Sequence, residues 1–188
     1  GGRLTITGAP VEELDAVLAA LTRAGCDLEI SGSEITISRS GPIRPVSVDT
    51  EPHPGFPTDM QAQWMALMAM ADGVCDVTEN IFENRFMHVP ELCRLGADIA
   101  TNNNVARVTG VKSLNGATVM ATDLRASASL VLAGLVAGGQ TEILRLYHLD
   151  RGYERLVEKL RAVGAHLARV PDDTRVPLGA LSEQRAVS

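Results

Sequence analysis

Two kinds of helical pattern alternate along this chain. The stretches 58–72 and 123–137 are apolar nearly all round, as in Trp64-Met65-Ala66-Leu67-Met68-Ala69-Met70, which predicts helices buried on every side. The stretches 11–24, 84–95 and 151–163 are amphipathic, and each is closed by a glycine, the residue best suited to the left-handed turn after a helix. Short apolar or alternating runs between them predict strands at 4–7, 27–30, 34–38, 46–48, 74–79, 97–100, 105–109, 117–121, 141–146 and 165–170.

The pattern repeats. Leu21-Thr22-Arg23-Ala24-Gly25-Cys26, Cys93-Arg94-Leu95-Gly96-Ala97 and Arg161-Ala162-Val163-Gly164-Ala165 end alike, with the glycines 71 and then 68 residues apart. Asp59 and Asp123 open the two apolar helices at equivalent places, and Arg85 and Arg151 occupy equivalent turns. Each full unit reads strand, helix, strand, helix, strand, strand. The units fall at about 1–41, 42–111 and 112–170, and the first is truncated. Helices that are apolar all round need cover on every face, so the expected architecture is α/β with helices inside and sheets outside. Asn102-Asn103-Asn104 and Asn115-Gly116 read as hairpin turns, and 171–188 as a mostly disordered tail.

Composition narrows the function. With 188 residues the chain can bury a full core, and no apolar run is long enough to span a bilayer. The absence of a secretory start points to the cytoplasm, while Gly1-Gly2 without an initiator Met reads as a cut inside a longer sequence. A net charge of −6 and 3% aromatic residues argue against a nucleic-acid partner and leave an anionic ligand to a few local arginines. Cys26, Cys75 and Cys93 are odd in number and lack metal-ligand spacing, so neither a disulfide framework nor a metal site is expected, and each reads as a structural thiol, Cys26 as a buried spacer. Nothing in the sequence calls for a cofactor.

Candidate chemistry collects at helix starts and turns. Pro52, Pro54 and Pro57 stiffen an extended approach to Asp59, which falls in the first turn of a buried helix. Such an aspartate is read either as a helix cap or as a group presented to a ligand. Asp123 and Arg125 sit two residues apart at the next helix start. Arg85 lies between Phe82 and Phe86, which predicts a partly enclosed guanidinium with an anionic partner. Arg151 is read either as an anion ligand or as an ion pair with Asp150 or Glu154. Ile81 alone reads as a strand-end core residue.

Four stretches carry a family resemblance: Phe56-Pro57-Thr58-Asp59-Met60-Gln61-Ala62-Gln63, Phe82-Glu83-Asn84-Arg85-Phe86-Met87-His88-Val89-Pro90-Glu91-Leu92, Ala121-Thr122-Asp123-Leu124-Arg125-Ala126-Ser127, and Tyr147-His148-Leu149-Asp150-Arg151-Gly152-Tyr153. They are long, irregular and in order. Over about residues 3–170 the chain resembles the C-terminal half of the UDP-N-acetylglucosamine 1-carboxyvinyltransferases, the enolpyruvyl transferases of bacterial peptidoglycan synthesis. The resemblance implies an inside-out α/β barrel domain of repeated β-α-β-α-β-β units. It implies transfer of the enolpyruvyl group of phosphoenolpyruvate to the 3′-hydroxyl of UDP-N-acetylglucosamine. It assigns Asp59 to the sugar hydroxyl as base, Ile81 and Arg85 to the nucleotide sugar, and Asp123, Arg125 and Arg151 to the phosphoenolpyruvate pocket and its rim. The partners it implies are the two substrates and the other domain of the same enzyme, which carries the reactive Cys loop. A half-site of this kind is expected to be inactive alone. A non-catalytic interaction module is the alternative; a shikimate-type acceptor is a third, disfavoured by the wording around Asp59 and Arg85. No role is derived for His88 or His148.

Overall fold

The computed structural model describes residues 2–170, so the tail expected over 171–188 lies outside the described residues. These residues form two units, one running to Gly152 and one from Tyr153.

In the first unit three sheets follow one another along the chain. Strands β1 (Arg3–Ile6), β2 (Asp27–Ser31) and β3 (Glu34–Ser38) pair antiparallel in the order β1-β3-β2, with helix α1 (Asp15–Arg23) between β1 and β2. The middle repeat is complete. It runs β4 (Val48–Asp49), α2 (Gln61–Met68), β5 (Val74–Thr78), α3 (Val89–Arg94), β6 (Asp98–Asn102), β7 (Val105–Thr109), with sheet order β4-β5-β7-β6. β4 and β5 are parallel, so α2 is their crossover, while β7 runs antiparallel to both of its neighbours. β8 (Thr118–Met120) and β9 (Glu142–Leu144) form a second parallel pair, crossed by α4 (Leu124–Val136) and followed by the short α5 (Tyr147–Asp150). The second unit contains α6 (Leu156–Ala162).

The core is the pair of apolar helices. α2 and α4 pack on one another, and every residue of α2 except Leu67 is buried. Met65, Met68, Leu92, Leu95, Val77, Val108 and Leu130 are fully enclosed. Each such side chain contributes about 1.5–3 kcal/mol on burial. Helices inside and sheets outside is therefore the observed arrangement of this unit, except that α4 is not covered on every side as expected: Leu132, Leu135 and Val136, towards its C-terminal end, are exposed.

The glycine signature marks one local structure used three times. Gly25, Gly96 and Gly164 have φ of +96°, +93° and +95°. In each case the next residue donates its N–H back to a helical leucine carbonyl, Cys26 to Leu21, Ala97 to Leu92 and Ala165 to Leu160, at 3.0, 3.1 and 3.0 Å. That is the six-to-one closure for which a left-handed residue is needed.

Several expected boundaries move. The helix expected over 58–72 is a 3-10 turn, Thr58–Met60, continued by α2 only to Met68. The helix expected over 84–95 begins at Val89, because Asn84 takes φ +54° and Pro90, which has no N–H to give, suits the first turn. Likewise 151–163 is helical only from Leu156, after Arg155 at φ +48°. The strand expected over 165–170 is absent among the described residues. Asn103, at φ +52°, turns the hairpin between β6 and β7 as expected. Asn115-Gly116 is not a hairpin turn: Asn115 bridges Gly138 in parallel, and the chain runs on into the parallel β8–β9 pair. Cys75 is buried, Cys26 is half-buried rather than buried, and Cys93 is exposed; all three are free thiols.

Candidate functional site

The ends of the parallel strands and the starts of α2 and α4 meet at one rim of the first unit. Thr50 follows β4 and Glu79 follows β5. The turn 58–60, the loop 80–88 and the N-terminus of α4 complete the rim.

Asp59 is at its centre. Pro57, in extended conformation, delivers the chain into the 3-10 turn, and no side chain there caps a backbone N–H. Asp59 is thus not the helix cap that a lone aspartate suggests. Its carboxylate is held by two arginines. Arg125 donates Nε to Oδ1 and Nη2 to Oδ2, both at 2.7 Å, and Arg85 donates Nη2 to Oδ1 at 3.0 Å. The Asp59 side chain nevertheless remains 58% exposed. The hydrogen bond from Arg125 is the main reason its pKa lies below the usual carboxylate range. Burial opposes this, while the Arg125 charge and Arg85 add to it.

Asp123 plays the part that Asp59 does not. Its Oδ1 accepts from the backbone N–H of Arg125 at 2.8 Å and of Ala126 at 2.9 Å, capping α4. The cap fixes the first turn from which Arg125 reaches across to Asp59. Arg85 is enclosed as expected: its side chain is 20% exposed, its guanidinium carbon lies 4.6 Å from the centre of the Phe82 ring, and Nη1 donates to Thr58 Oγ1 at 2.5 Å. Ile81 is not a core residue. It lies beyond the end of β5, 36% exposed. Its N–H donates to Glu79 Oε1 at 2.9 Å.

Arg151 stands apart from this cluster. It is exposed at the end of α5, and among the described residues of the first unit it makes no ion pair with Asp150 or any member of the cluster; Glu154, in the second unit, pairs with Lys159 at 3.2 Å. The structure therefore gathers Asp59, Ile81, Arg85, Asp123 and Arg125 but leaves Arg151 outside their hydrogen-bond network.

Glu79, Thr50 and Thr58 at the rim, and His88 beneath it, received no role from the sequence. Glu79 is buried and binds both threonines: Thr50 Oγ1 donates to Oε1 at 2.9 Å and Thr58 Oγ1 to Oε2 at 2.8 Å. The only sequence signal was an acidic residue closing an apolar strand. His88 lies beneath the rim, with Nε2 3.3 Å from Met65 Sδ. Burial pushes its pKa down to about 4, with a smaller opposing effect of Asp123 and a small further lowering by Arg85. Among the described residues no group of three or more His, Cys, Asp or Glu could hold a metal ion.

The chain matches the family described as EPSP synthase (3-phosphoshikimate 1-carboxyvinyltransferase) over residues 1–160. It is 55% identical over 169 residues to the UDP-N-acetylglucosamine 1-carboxyvinyltransferase of Chlorobium phaeovibrioides, covering 90% of this chain and 40% of that protein. The protein of the same name from Sorangium cellulosum is 58% identical over 172 residues, with 90% and 41% covered. The chain thus spans about two fifths of the length of the curated relatives it matches. Among solved structures, the enolpyruvyl transferase NikO from Streptomyces tendae superposes with a TM-score of 0.81 at 36% identity, over 87% of this chain and 39% of that one. An EPSP synthase from Acinetobacter baumannii shares the fold, with a TM-score of 0.65 at 20% identity, over 90% and 40%.

Proposed function

We propose that this chain, which belongs to the EPSP synthase family of enolpyruvyl transferases, carries one half of a site that transfers the enolpyruvyl group of phosphoenolpyruvate to the 3′-hydroxyl of UDP-N-acetylglucosamine. The observation that carries the reading is the Asp59 carboxylate, exposed at a rim and held by Arg125 and Arg85. The choice of acceptor is supported by the relatives of that name at 55–58% identity, against 20% for the EPSP synthase structure. The bacterial cytoplasm, the first step of peptidoglycan precursor synthesis and a second domain completing the site go with this reading.

In the reaction the sugar oxygen bonds to the enol carbon of phosphoenolpyruvate while its methylene carbon takes a proton. Phosphate then leaves as the methyl group so formed gives up a proton, which restores the carbon–carbon double bond. The hydroxyl must be oriented and relieved of its proton, and the anionic co-substrate must be gripped. Asp59 alone is a poor base while two guanidinium groups hold its pKa down. The Arg125–Asp59 pair is largely exposed, and such pairs contribute only about 0–1 kcal/mol. A phosphate or carboxylate competes well for an arginine fork. Arrival of phosphoenolpyruvate draws Arg125 off Asp59, the Asp59 pKa rises, and the carboxylate is free to accept the hydroxyl proton. Arg85, steadied by Thr58 and Phe82, and the 81–82 backbone hold the nucleotide sugar beside it. Arg151, exposed and outside the cluster, is available to the same anion.

The test is a chimera in which residues 3–170 replace the matching stretch of the Sorangium cellulosum relative. Phosphate release is measured with phosphoenolpyruvate and either UDP-N-acetylglucosamine or 3-phosphoshikimate. Turnover with the nucleotide sugar alone is expected; turnover only with the shikimate acceptor would overturn the choice of substrate.

A further inference from the structure

The Glu79 side chain is an unusual object in this fold. It is 3% exposed, at the end of an apolar strand, and it makes four hydrogen bonds. Oε1 accepts from Thr50 Oγ1 at 2.9 Å and from the N–H groups of Ile81 and Phe82 at 2.9 and 3.1 Å. Oε2 accepts from Thr58 Oγ1 at 2.8 Å. These contacts reach three parts of the rim: the end of β4, the turn 58–60 and the loop 80–88.

The direction of the hydrogens matters. A carboxylate only accepts, so the Thr58 hydroxyl hydrogen must point at Glu79. That leaves a lone pair of Thr58 Oγ1 facing outward, and Arg85 Nη1 donates to it at 2.5 Å. The other arm of the same guanidinium, Nη2, is on Asp59. A chain of fixed polarity therefore runs from the buried carboxylate through Thr58 to Arg85 and on to Asp59. Meanwhile the same carboxylate pins the backbone at 81–82, beside the Phe82 ring on which the Arg85 guanidinium rests.

We propose that Glu79 is the positioning residue of this site, a buried carboxylate that orients Arg85 through Thr58 and the 81–82 backbone directly. The proposal depends on the functional reading above for what the oriented groups act on, but not for the orientation itself. Glu79→Gln keeps the shape and reverses one polarity. An amide facing Thr58 donates where the carboxylate accepted, so the hydroxyl hydrogen must turn away and Arg85 loses its aligned acceptor. An amide facing the other way sets a donor against three donors.

The experiment uses the 188-residue chain labelled with ¹⁵N and ¹³C, as wild type, Glu79→Gln, Thr58→Val and Arg85→Lys. Arg85 guanidinium signals, the Asp59 carboxyl titration and thermal melting are followed on the same samples. In the wild type the Arg85 Nη signals are resolved, because the fork is held at both ends. In Glu79→Gln and Thr58→Val they merge, and the Asp59 midpoint moves upward in the direction that Arg85→Lys gives. A carboxylate that only held the fold together would lower the melting temperature and leave Arg85 and Asp59 unmoved; that result in a folded Glu79→Gln overturns the proposal. If Glu79→Gln has no cooperative melt, Thr58→Val decides, and unchanged Arg85 signals there overturn it equally. No substrate enters the measurement, so failure of the proposed reaction would leave this result standing.

Discussion

Arg125 grips Asp59 through two parallel hydrogen bonds of 2.7 Å, joining residues 66 apart in sequence. The two residues open the successive apolar helices of the fold, yet only the second helix is capped by its own aspartate, Asp123. The spare carboxylate of the first helix start is thereby turned outward to a cation supplied by the second. A departure from the internal repeat produces the candidate site.

Arg125→Lys should undo this. A lysine keeps the charge but cannot form the fork. The Asp59 carboxyl should titrate at higher pH than in the unsubstituted chain, read from its ¹³C signal. In the chimera, kcat/KM should fall by about 10²-fold, as for loss of one oriented donor.

The fold was legible where local chemistry acts alone. The three glycine closures and the two apolar helices follow from residue type, and Gly25, Gly96 and Gly164 share one conformation to within a few degrees. Two helix starts moved at Asn84 and Arg155, which take left-handed conformations that a periodic apolar pattern does not reveal. At the site, an anionic partner for Arg85 was suggested by Phe82 and Phe86, though not that the partner is Asp59. The bond from Arg125 to Asp59 was not, since it depends on two helix starts meeting through the tertiary fold. Glu79 was invisible because nothing in Val-Thr-Glu-Asn says which way the carboxylate turns.

His88 should make stability depend on pH. Its folded pKa, about 4, lies below the ordinary 6.5, so between these values the unfolded chain binds a proton that the folded chain does not. Stability is therefore fully present above about pH 6.5, falls as the pH is lowered towards 4, and has no further His88 contribution below that. The loss is on the order of 3 kcal/mol. Urea unfolding at a series of pH values checks this. The slope over that window should flatten in His88→Leu, leaving the losses at lower pH from Asp59 and Asp76, whose carboxyls arginine partners hold below the usual range.

Gly110→Ala should be destabilising out of proportion to its size. A Cβ there would run into the Ala71 carbonyl, where the chain leaving β7 crosses the turn after α2. Forced shifts of this kind cost about 1–3 kcal/mol, read from the urea midpoint.

The isolated chain should show no phosphate release with phosphoenolpyruvate and UDP-N-acetylglucosamine together. It spans about two fifths of the relatives' length, and the proposed site needs groups from the remainder. Turnover above background in purified 188-residue chain would contradict the half-site reading.

The central claim concerns Asp59, and its most direct test is the turnover number of the chimera with Asp59→Ala and Asp59→Glu, measured with the melting temperature on the same preparations. Asp59 caps no helix, and its side chain is 58% exposed, so both variants should melt close to the parent. A positioned base contributes about 10²–10⁴ in rate, and one added methylene moves it off the hydroxyl. Asp59→Ala should therefore lose at least about 10²-fold in kcat while staying folded, and Asp59→Glu should recover little of it. A fall of less than about tenfold in Asp59→Ala would mean that the carboxylate serves only its two arginines, and the account of the site would be wrong.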